Sequence, residues 1–362
     1  MTTLNEQDAE EFIAARAIEP GLPGFVGIAV DLMLDPACAP AGRRPLRHGF
    51  LDARSPRVMV VSGPPSPGLE VALRRMSDDL AAATRIAEQH RLTVLPQASA
   101  TMHPDEPGHA DGPGHADGPG HADGPATAGI RVGLEAGLDG GGPLGLRRRW
   151  NLAHTLAPVL AAAFANSPLA QGRPAGWRSV RQAVRSGLPV LPAFGEPRFA
   201  WTTYVMDAPT ATGRSLRQWI RGGGRPTEGG LHRHLGSLRP PVAARGHLEI
   251  DVADRQPGDG WRVPAAVIAT LLDDPRAAEE AWEATALLVA EPRLWERAAR
   301  DALTDPVLAA AARDCFMAAY AALARLGASR ELRDAVAEFT ERYVARGRCP
   351  ADDVLDQVTA RP

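Results

Sequence analysis

Residues 24–34 read GFVGIAVDLML, a stretch in which large apolar side chains alternate with small or polar ones. This period of two predicts a β-strand, because successive side chains of a strand point to opposite faces. The buried face would carry Val26, Ile28, Val30 and Leu32, and the opposite face Gly27, Ala29 and Asp31. The strand is therefore expected to lie in a sheet that is covered by apolar residues on one side.

The neighbouring sequence contains further strand-like and helix-like runs. We expect strands at 58–61, 92–95, 130–134, 201–206 and 247–254. We expect helices at 69–90, 147–168 and 231–238, and an almost wholly helical chain from Val263 onward. Because the strands are not regularly followed by helices of matching length, the pattern predicts an α+β fold. Its sheet would be mixed or antiparallel rather than doubly wound.

The composition excludes several classes of chemistry. The chain has 362 residues, and all 40 of its Lys and Arg residues are arginine. P-loop nucleotide sites, protein kinases and enzymes that form a Schiff base all need a lysine. Binding of phosphate or carboxylate must therefore use arginine, backbone N–H groups or a metal ion.

Charge and cysteine usage suggest where the protein works. The formal net charge of −3 argues against nucleic acid or an anionic membrane as a partner. No apolar run approaches the roughly 20 residues of a membrane span, and the acidic residues 1–11 lack the apolar centre of a signal peptide. Cys38, Cys315 and Cys349 are far apart in sequence, which argues against a disulfide scaffold. We therefore expect a cytoplasmic protein.

The hexapeptide PGHADG occurs three times, starting at residues 107, 113 and 119. It offers almost nothing to bury, so we expect 103–125 to form a disordered loop. Weak metal binding by the three histidines of the repeat is an alternative. The loop would divide an α+β catalytic domain into 1–102 and 126–262, followed by a helical part over 263–362.

Two clusters of polar residues could carry chemistry. His247, Glu249 and Asp251 are spaced by two residues and share one face of a predicted strand. The two carboxylates could bind Mg²⁺ together, or all three side chains could form an exposed polar face. Arg178 and Arg181 are three residues apart, which places them on one face of a helix. They could clamp a carboxylate or phosphate, or be an ordinary solvated pair.

Longer motifs carry a family resemblance. Residues 149–185, RWNLAHTLAPVLAAAFANSPLAQGRPAGWRSVRQAVR, resemble the actinobacterial glutamate–cysteine ligases of the ergothioneine pathway. Further matches follow in the family's order: AWTTYVMDAP (200–209), SLRQWI (215–220), HLGSLRPPVAARGHLEI (234–250), PGDGWRVPAAV (257–267), LLDDP (271–275) and YVARGRCPADD (343–353). The resemblance is dense from about 149 to 353 and thinner over 12–95.

The resemblance implies a glutamine-synthetase-like fold, in which a curved, mostly antiparallel sheet forms a funnel for ATP and Mg²⁺. In such ligases ATP phosphorylates the γ-carboxylate of glutamate. The amine of cysteine then displaces the phosphate to give γ-glutamylcysteine. The implied partners are therefore small molecules, namely glutamate, cysteine and ATP.

The resemblance also implies which residues form the site. Arg178 and Arg181 would be catalytic and would bind anionic substrate, and His234 and Arg245 would add contacts to substrate or nucleotide. The metal ligands would be Asp31 and Glu249, with Asp251 and Glu135 as further candidates.

Four strands depart from the family pattern, the last of them at Asp251, which stands where the family has arginine. The family's VGxExE is VGIAVD here, so Ala29 and Asp31 stand in place of two metal-facing glutamates. Val60 replaces another glutamate, and Arg131 stands where the family has glutamine. Ala and Val cannot ligate Mg²⁺, so we expect weak ligase activity. Three possibilities stay open: a ligase with a rebuilt metal site, a ligase for another amino acid, or an inactive relative that binds a ligand or supports a partner.

Overall fold

The computed structural model describes residues 3–96, 98–99, 126–187, 195–210 and 213–360. The loop expected at 103–125, including the histidines that could bind a metal, lies outside the described residues.

One antiparallel sheet forms the centre of the described structure. The strands are β1 (Phe25–Asp35), β2 (Arg44–Pro45), β3 (Phe50–Ser55), β4 (Val58–Ser62), β5 (Ser66–Pro67), β6 (Thr93–Leu95), β7 (Gly129–Leu134), β8 (Leu169–Ala170), β9 (Arg173–Pro174), β10 (Val242–Ala244) and β11 (Leu248–Asp254). The order in the sheet is β10-β11-β7-β1-β4-β3-β2, the short strands β5 and β6 also pair with β1, and β8 and β9 form a separate two-stranded sheet. The sheet therefore draws strands from both sides of the expected loop.

Helices pack against the sheet and make up most of the chain after residue 262. They are α1 (Glu6–Ala14), α2 (Leu69–Gln89), α3 (Leu146–Ala163), α4 (Val180–Ala183), α5 (Pro197–Asp207), α6 (Leu216–Arg221), α7 (Glu228–Ser237), α8 (Arg262–Asp273), α9 (Pro275–Thr285), α10 (Leu294–Arg300), α11 (Pro306–Arg325), α12 (Arg330–Arg342) and α13 (Pro350–Thr359). The prediction of an α+β fold with an antiparallel sheet and a helical C-terminal part is confirmed. The proposed domain boundaries stay a prediction.

Strand β1 has the two faces that its sequence predicts. Val26, Ile28, Val30 and Leu32 are at most 3% exposed and belong to the main apolar core. Helix α2 packs on this face of β1 and β4. The other face is open for a site at Gly27 and Ala29, whereas Asp31 and Met33 further along it are buried.

Helix α11 is long and apolar enough by length and composition to cross a membrane. Slightly more than half of its apolar window is buried in the protein, where it packs against α8, α9 and α3. This is the behaviour of a core helix in a folded domain.

The prediction of a strand at 201–206 is wrong, because these residues lie in helix α5. The β-branched and aromatic residues of WTTYVM favour a strand locally. The helix instead begins where the Glu196 side chain accepts a hydrogen bond from the N–H of Phe199 at 2.7 Å, with Pro197 in the first turn. Trp201, Tyr204 and Val205 then bury one helical face.

Candidate functional site

A cavity of about 620 Å³ opens on the face of the sheet that α2 does not cover. Gly27 on β1 and Gly133 on β7 are directly paired across the sheet, so no side chain fills the space above them. A Cβ at Gly133 would lie only 2.9 Å from the ring of His247, so a larger residue there would require this ring to move. The polar and charged wall consists of Ser62, Arg131, Glu135, Arg239, Arg245, His247 and Glu249.

The cavity wall carries three arginines and two glutamates, an excess of positive charge. Arg245 is fixed by Glu249, whose Oε1 accepts from its Nε at 2.7 Å, and by the carbonyl of Leu238 at 2.6 Å. Arg239 donates to the carbonyl of Gly236 at 2.6 Å. Burial, together with the charges of Arg245 and Arg131, lowers the pKa of Arg239 to about 10. Such a wall suits an anionic ligand.

Asp31 lies behind this wall and is fully buried. Its Oδ2 accepts from Nη1 of Arg54 at 2.8 Å and from the N–H of Gly129 at 3.0 Å. Its Oδ1 faces Nη2 of Arg131 at 3.4 Å. Burial alone would lower the pKa of Arg131, but the charges of Asp31, Asp251 and Glu249 raise it above its usual value. Arg131 is thus a permanent cation among these carboxylates.

Asp251 is buried under α4 and the 3₁₀ turn Val184–Gly187 that follows it. Its two oxygens pair with Arg181 and Arg185, the latter at 2.5 Å. Burial would raise the pKa of Asp251, but the arginine charges hold it well below its usual range. This ionic cluster ties α4 to β11, and Asp251 does not line the cavity although it follows Glu249 on the strand.

Three residues predicted to bind substrate or nucleotide, Arg178, Arg181 and His234, do not line the cavity, and Arg181 is engaged by Asp251. Arg178 pairs with Asp352 of α13, its Nε donating at 2.8 Å, and also contacts the carbonyl of Arg300. His234 is buried, and its Nε2 lies 3.0 Å from the carbonyl of Val205. Burial lowers the pKa of His234. The binding roles predicted for these residues stay predictions. In the structure, each side chain is engaged by a contact within the protein.

Arg245, Glu135 and Glu249 do line the cavity, and four polar residues outside the predicted set join them, namely Ser62, Arg131, Arg239 and His247. His247 was placed on the same strand face as Glu249 by the alternation of HLEID, although it was not chosen as a site residue. Arg239 was missed; its only signal was its position within the family motif at 234–250.

The residues present do not fit a protein-bound Mg²⁺ ion. Asp31 and Asp251 each pair with two arginines, and Glu249 pairs with one. Ala29 and Val60 contribute no side-chain oxygen. Within the ranges that the structure describes, no group of three or more His, Cys, Asp or Glu side chains could hold a metal ion.

The fold is shared with two solved ligases. A bifunctional glutathione synthetase from Pasteurella multocida superposes with a TM-score of 0.56 at 13% identity, over 98% of this chain and 51% of that one. A glutamate–cysteine ligase from Francisella tularensis, solved in complex with AMP, gives 0.51 at 13% identity, over 95% of this chain and 86% of that one. These similarities show that the chain shares the fold of these two proteins.

The sequence narrows this class to a family. The model of glutamate–cysteine ligase family 2 (GCS2) matches residues 47–361, and the chain belongs to this family. It is 38% identical to glutamate–cysteine ligase EgtA of Mycolicibacterium smegmatis, over 65% of this chain and 58% of that protein. It is 32% identical to EgtA of Mycobacterium tuberculosis, over 97% of this chain and 90% of that protein. The resemblance found in the sequence motifs is confirmed.

Proposed function

We propose that this protein is a glutamate–cysteine ligase that makes γ-glutamylcysteine for ergothioneine synthesis, with slow turnover. Family membership over residues 47–361 and the similarity to the two EgtA proteins support this activity. The observation that carries it in the structure is the arginine-rich cavity formed by β1, β7 and β11. Glutamate, cysteine and ATP are all anionic or zwitterionic, as such a cavity requires.

The proposed reaction has two steps. A γ-carboxylate oxygen of glutamate attacks the terminal phosphorus of ATP, and ADP leaves. The cysteine nitrogen then attacks the acyl carbon of γ-glutamyl phosphate, inorganic phosphate leaves, and the nitrogen loses a proton. Both steps bring negative oxygens together, and Arg131, Arg239 and Arg245 supply the positive charge that offsets them.

Slow turnover follows from the apolar residues at two positions of the sheet. Ala29 lines the cavity and Val60 is buried nearby, and both stand where the family resemblance implies metal-binding glutamates. Losing one electrostatic stabiliser typically slows catalysis about 10²-fold to 10³-fold. A second candidate function follows from the same observation: a member of the family that binds glutamate or nucleotide without turnover.

The decisive experiment measures product. The full chain is incubated with glutamate, cysteine and ATP, and γ-glutamylcysteine is followed by mass spectrometry beside the M. tuberculosis relative. We expect product at a rate about 10²-fold or more below that of the relative. Product at the relative's rate would contradict slow turnover. No product, with glutamate binding intact in calorimetry, would favour the binding protein.

We also infer a cytoplasmic location and small-molecule partners. The burial of much of α11 and the near balance of charge support this inference. Fractionation of producing cells tests it, with the protein expected in the soluble fraction.

A further inference from the structure

We infer that the guanidinium of Arg131 takes the place of a protein-bound divalent cation, so that the cavity binds its oxyanion ligand without Mg²⁺ held by the protein's own side chains. The inference rests on the proposed function only for the choice of glutamate as the probe. A cation that arrives with the nucleotide is a separate matter.

The first step is the position of Arg131. It lies on β7, where its Cα pairs with that of Ala29 on β1, so its side chain rises from the sheet beside a methyl group. The side chain is only 12% exposed and lines the cavity. One end of the guanidinium lies 3.4 Å from the buried Asp31 Oδ1. Arg131 therefore links the buried carboxylate to the open cavity, as a bridging cation would.

The second step is the charge around that position. Three of the carboxylates predicted to ligate a metal, Asp31, Glu249 and Asp251, are paired with arginines, and Asp254 lies 3.7 Å from Arg181. The cations that surround them are Arg54, Arg131, Arg181, Arg185 and Arg245. Five positive groups against these four negative ones leave an excess of positive charge before any metal arrives. A Mg²⁺ ion would be repelled at short range and would first have to break several ion pairs.

The third step is the ligand. Asp31 Oδ1 has no hydrogen-bond donor among the described residues. The N–H groups of the Arg131 guanidinium are therefore not hydrogen-bonded to this oxygen and can bind a ligand. Its side chain reaches the cavity together with those of Arg239 and Arg245. Planar guanidinium groups bind carboxylate and phosphate oxygens directly. The ligand is thus an oxyanion, either an amino-acid carboxylate or a phosphate.

The first arm of the test measures ligand binding by the full chain. Calorimetry with L-glutamate is carried out in EDTA and again in Mg²⁺, and inorganic phosphate is titrated in parallel to tell the two oxyanions apart. We expect the same affinity in both buffers, and in EDTA an affinity at least about 10-fold weaker for Arg131→Gln. Arg313→Gln, on the exposed side of α11, is the matched control and should bind like the parent. Binding by the parent only in Mg²⁺, or unchanged binding by Arg131→Gln, would overturn the inference.

The second arm measures whether Mg²⁺ stabilises the fold. Millimolar Mg²⁺ should leave the melting temperature of the parent and of Arg131→Lys unchanged, because neither offers a carboxylate that is free of an arginine partner. Stabilisation of the parent by Mg²⁺ would overturn the inference. If the parent binds neither oxyanion in calorimetry, the response of its melting temperature to Mg²⁺ tests the inference. If Arg131→Gln does not fold, the parent and Arg131→Lys test it instead.

The two proposals fail separately. Metal-free binding of glutamate without any product would refute the ligase activity and leave the role of Arg131 intact. Product formation together with Mg²⁺-dependent binding of glutamate would do the reverse.

Discussion

Arg131 and Ala29 are Cα partners on adjacent central strands, and the guanidinium of one rises beside the methyl group of the other. Family resemblance implies a glutamate at the position of Ala29, with a metal ion between neighbouring carboxylates. Here the cation is part of the polypeptide, and it points at Asp31 behind it. If the Arg131 side chain replaces a bound metal ion, the cavity can still bind an anion although Ala29 and Val60 supply no carboxylate.

Restoring a metal site should need two changes. Arg131→Gln combined with Ala29→Glu removes the internal cation and adds a carboxylate that lines the cavity. We expect a lower melting temperature than the parent in EDTA, because the two carboxylates repel each other, and a gain of several degrees in Mg²⁺. Ala29→Glu alone is the control and should not respond to Mg²⁺, since its carboxylate pairs with Arg131. Equal responses of the two variants would contradict the prediction.

Anion binding should depend on Arg245 more than on Arg178. Arg245 lines the cavity and is held in place by Glu249, whereas Arg178 pairs with Asp352 at another part of the surface. Calorimetry with glutamate should therefore show about 10-fold weaker binding or worse for Arg245→Ala. Arg178→Ala, an arginine of similar exposure, should bind like the parent. If Arg178→Ala weakened glutamate binding more than Arg245→Ala, the result would support the binding role that the motif around Arg178 predicts.

Removing the carboxylate of Asp251 should destabilise the fold strongly. Asp251→Ala leaves Arg181 and Arg185 buried without their shared partner. Breaking a buried ion pair in this way typically costs about 3–5 kcal/mol in the free energy of unfolding. Urea denaturation measures the change, and Arg178→Ala, which breaks a partly exposed pair, should cost only about 1 kcal/mol. Similar losses of unfolding free energy for both variants would show that the buried ion pairs of Asp251 stabilise the fold no more than a partly exposed pair.

The same cluster predicts a dependence on pH. The folded-state pKa of Asp251 lies below its usual value: burial opposes this shift, and the charges of Arg181, Arg185 and Arg131 outweigh it. A lowered pKa stabilises the fold fully above the unfolded-state pKa of about 4, and this contribution is lost as the pH falls further. The advantage of the parent over Asp251→Asn in free energy of unfolding should therefore narrow in acid below about pH 4. A constant difference over that range would contradict this assignment.

The PGHADG repeat should be dispensable for stability. Its units offer almost nothing to bury, so deleting 103–125 should leave the melting temperature nearly unchanged. A loss of several degrees would show that the segment packs on the core.

The sequence predicted what local periodicity determines. The alternation around β1 and β11 gave the buried faces correctly and placed His247 beside Glu249. It failed at α5, where the Glu196 cap and Pro197 outweigh the strand preference of WTTYVM.

Ion pairs between distant residues could not be predicted in the same way. Arg54 and Asp31 meet across the sheet although they are 23 residues apart, and Arg181 and Asp251 are 70 residues apart. Spacing along the chain carries no sign of such contacts, since they arise from strand register and helix packing. For this reason Asp251 was expected beside Glu249 as a metal ligand, whereas the structure pairs it with arginines.

The most direct measurement of the central claim is a crystal structure of the parent soaked in Mn²⁺, with the anomalous signal used to locate the metal. We predict no ion among Asp31, Glu249 and Asp251, and an Arg131 guanidinium that still faces Asp31 Oδ1 at a distance close to 3.4 Å. A Mn²⁺ ion coordinated by Asp31 or Glu249, with the Arg131 side chain displaced, would contradict the account.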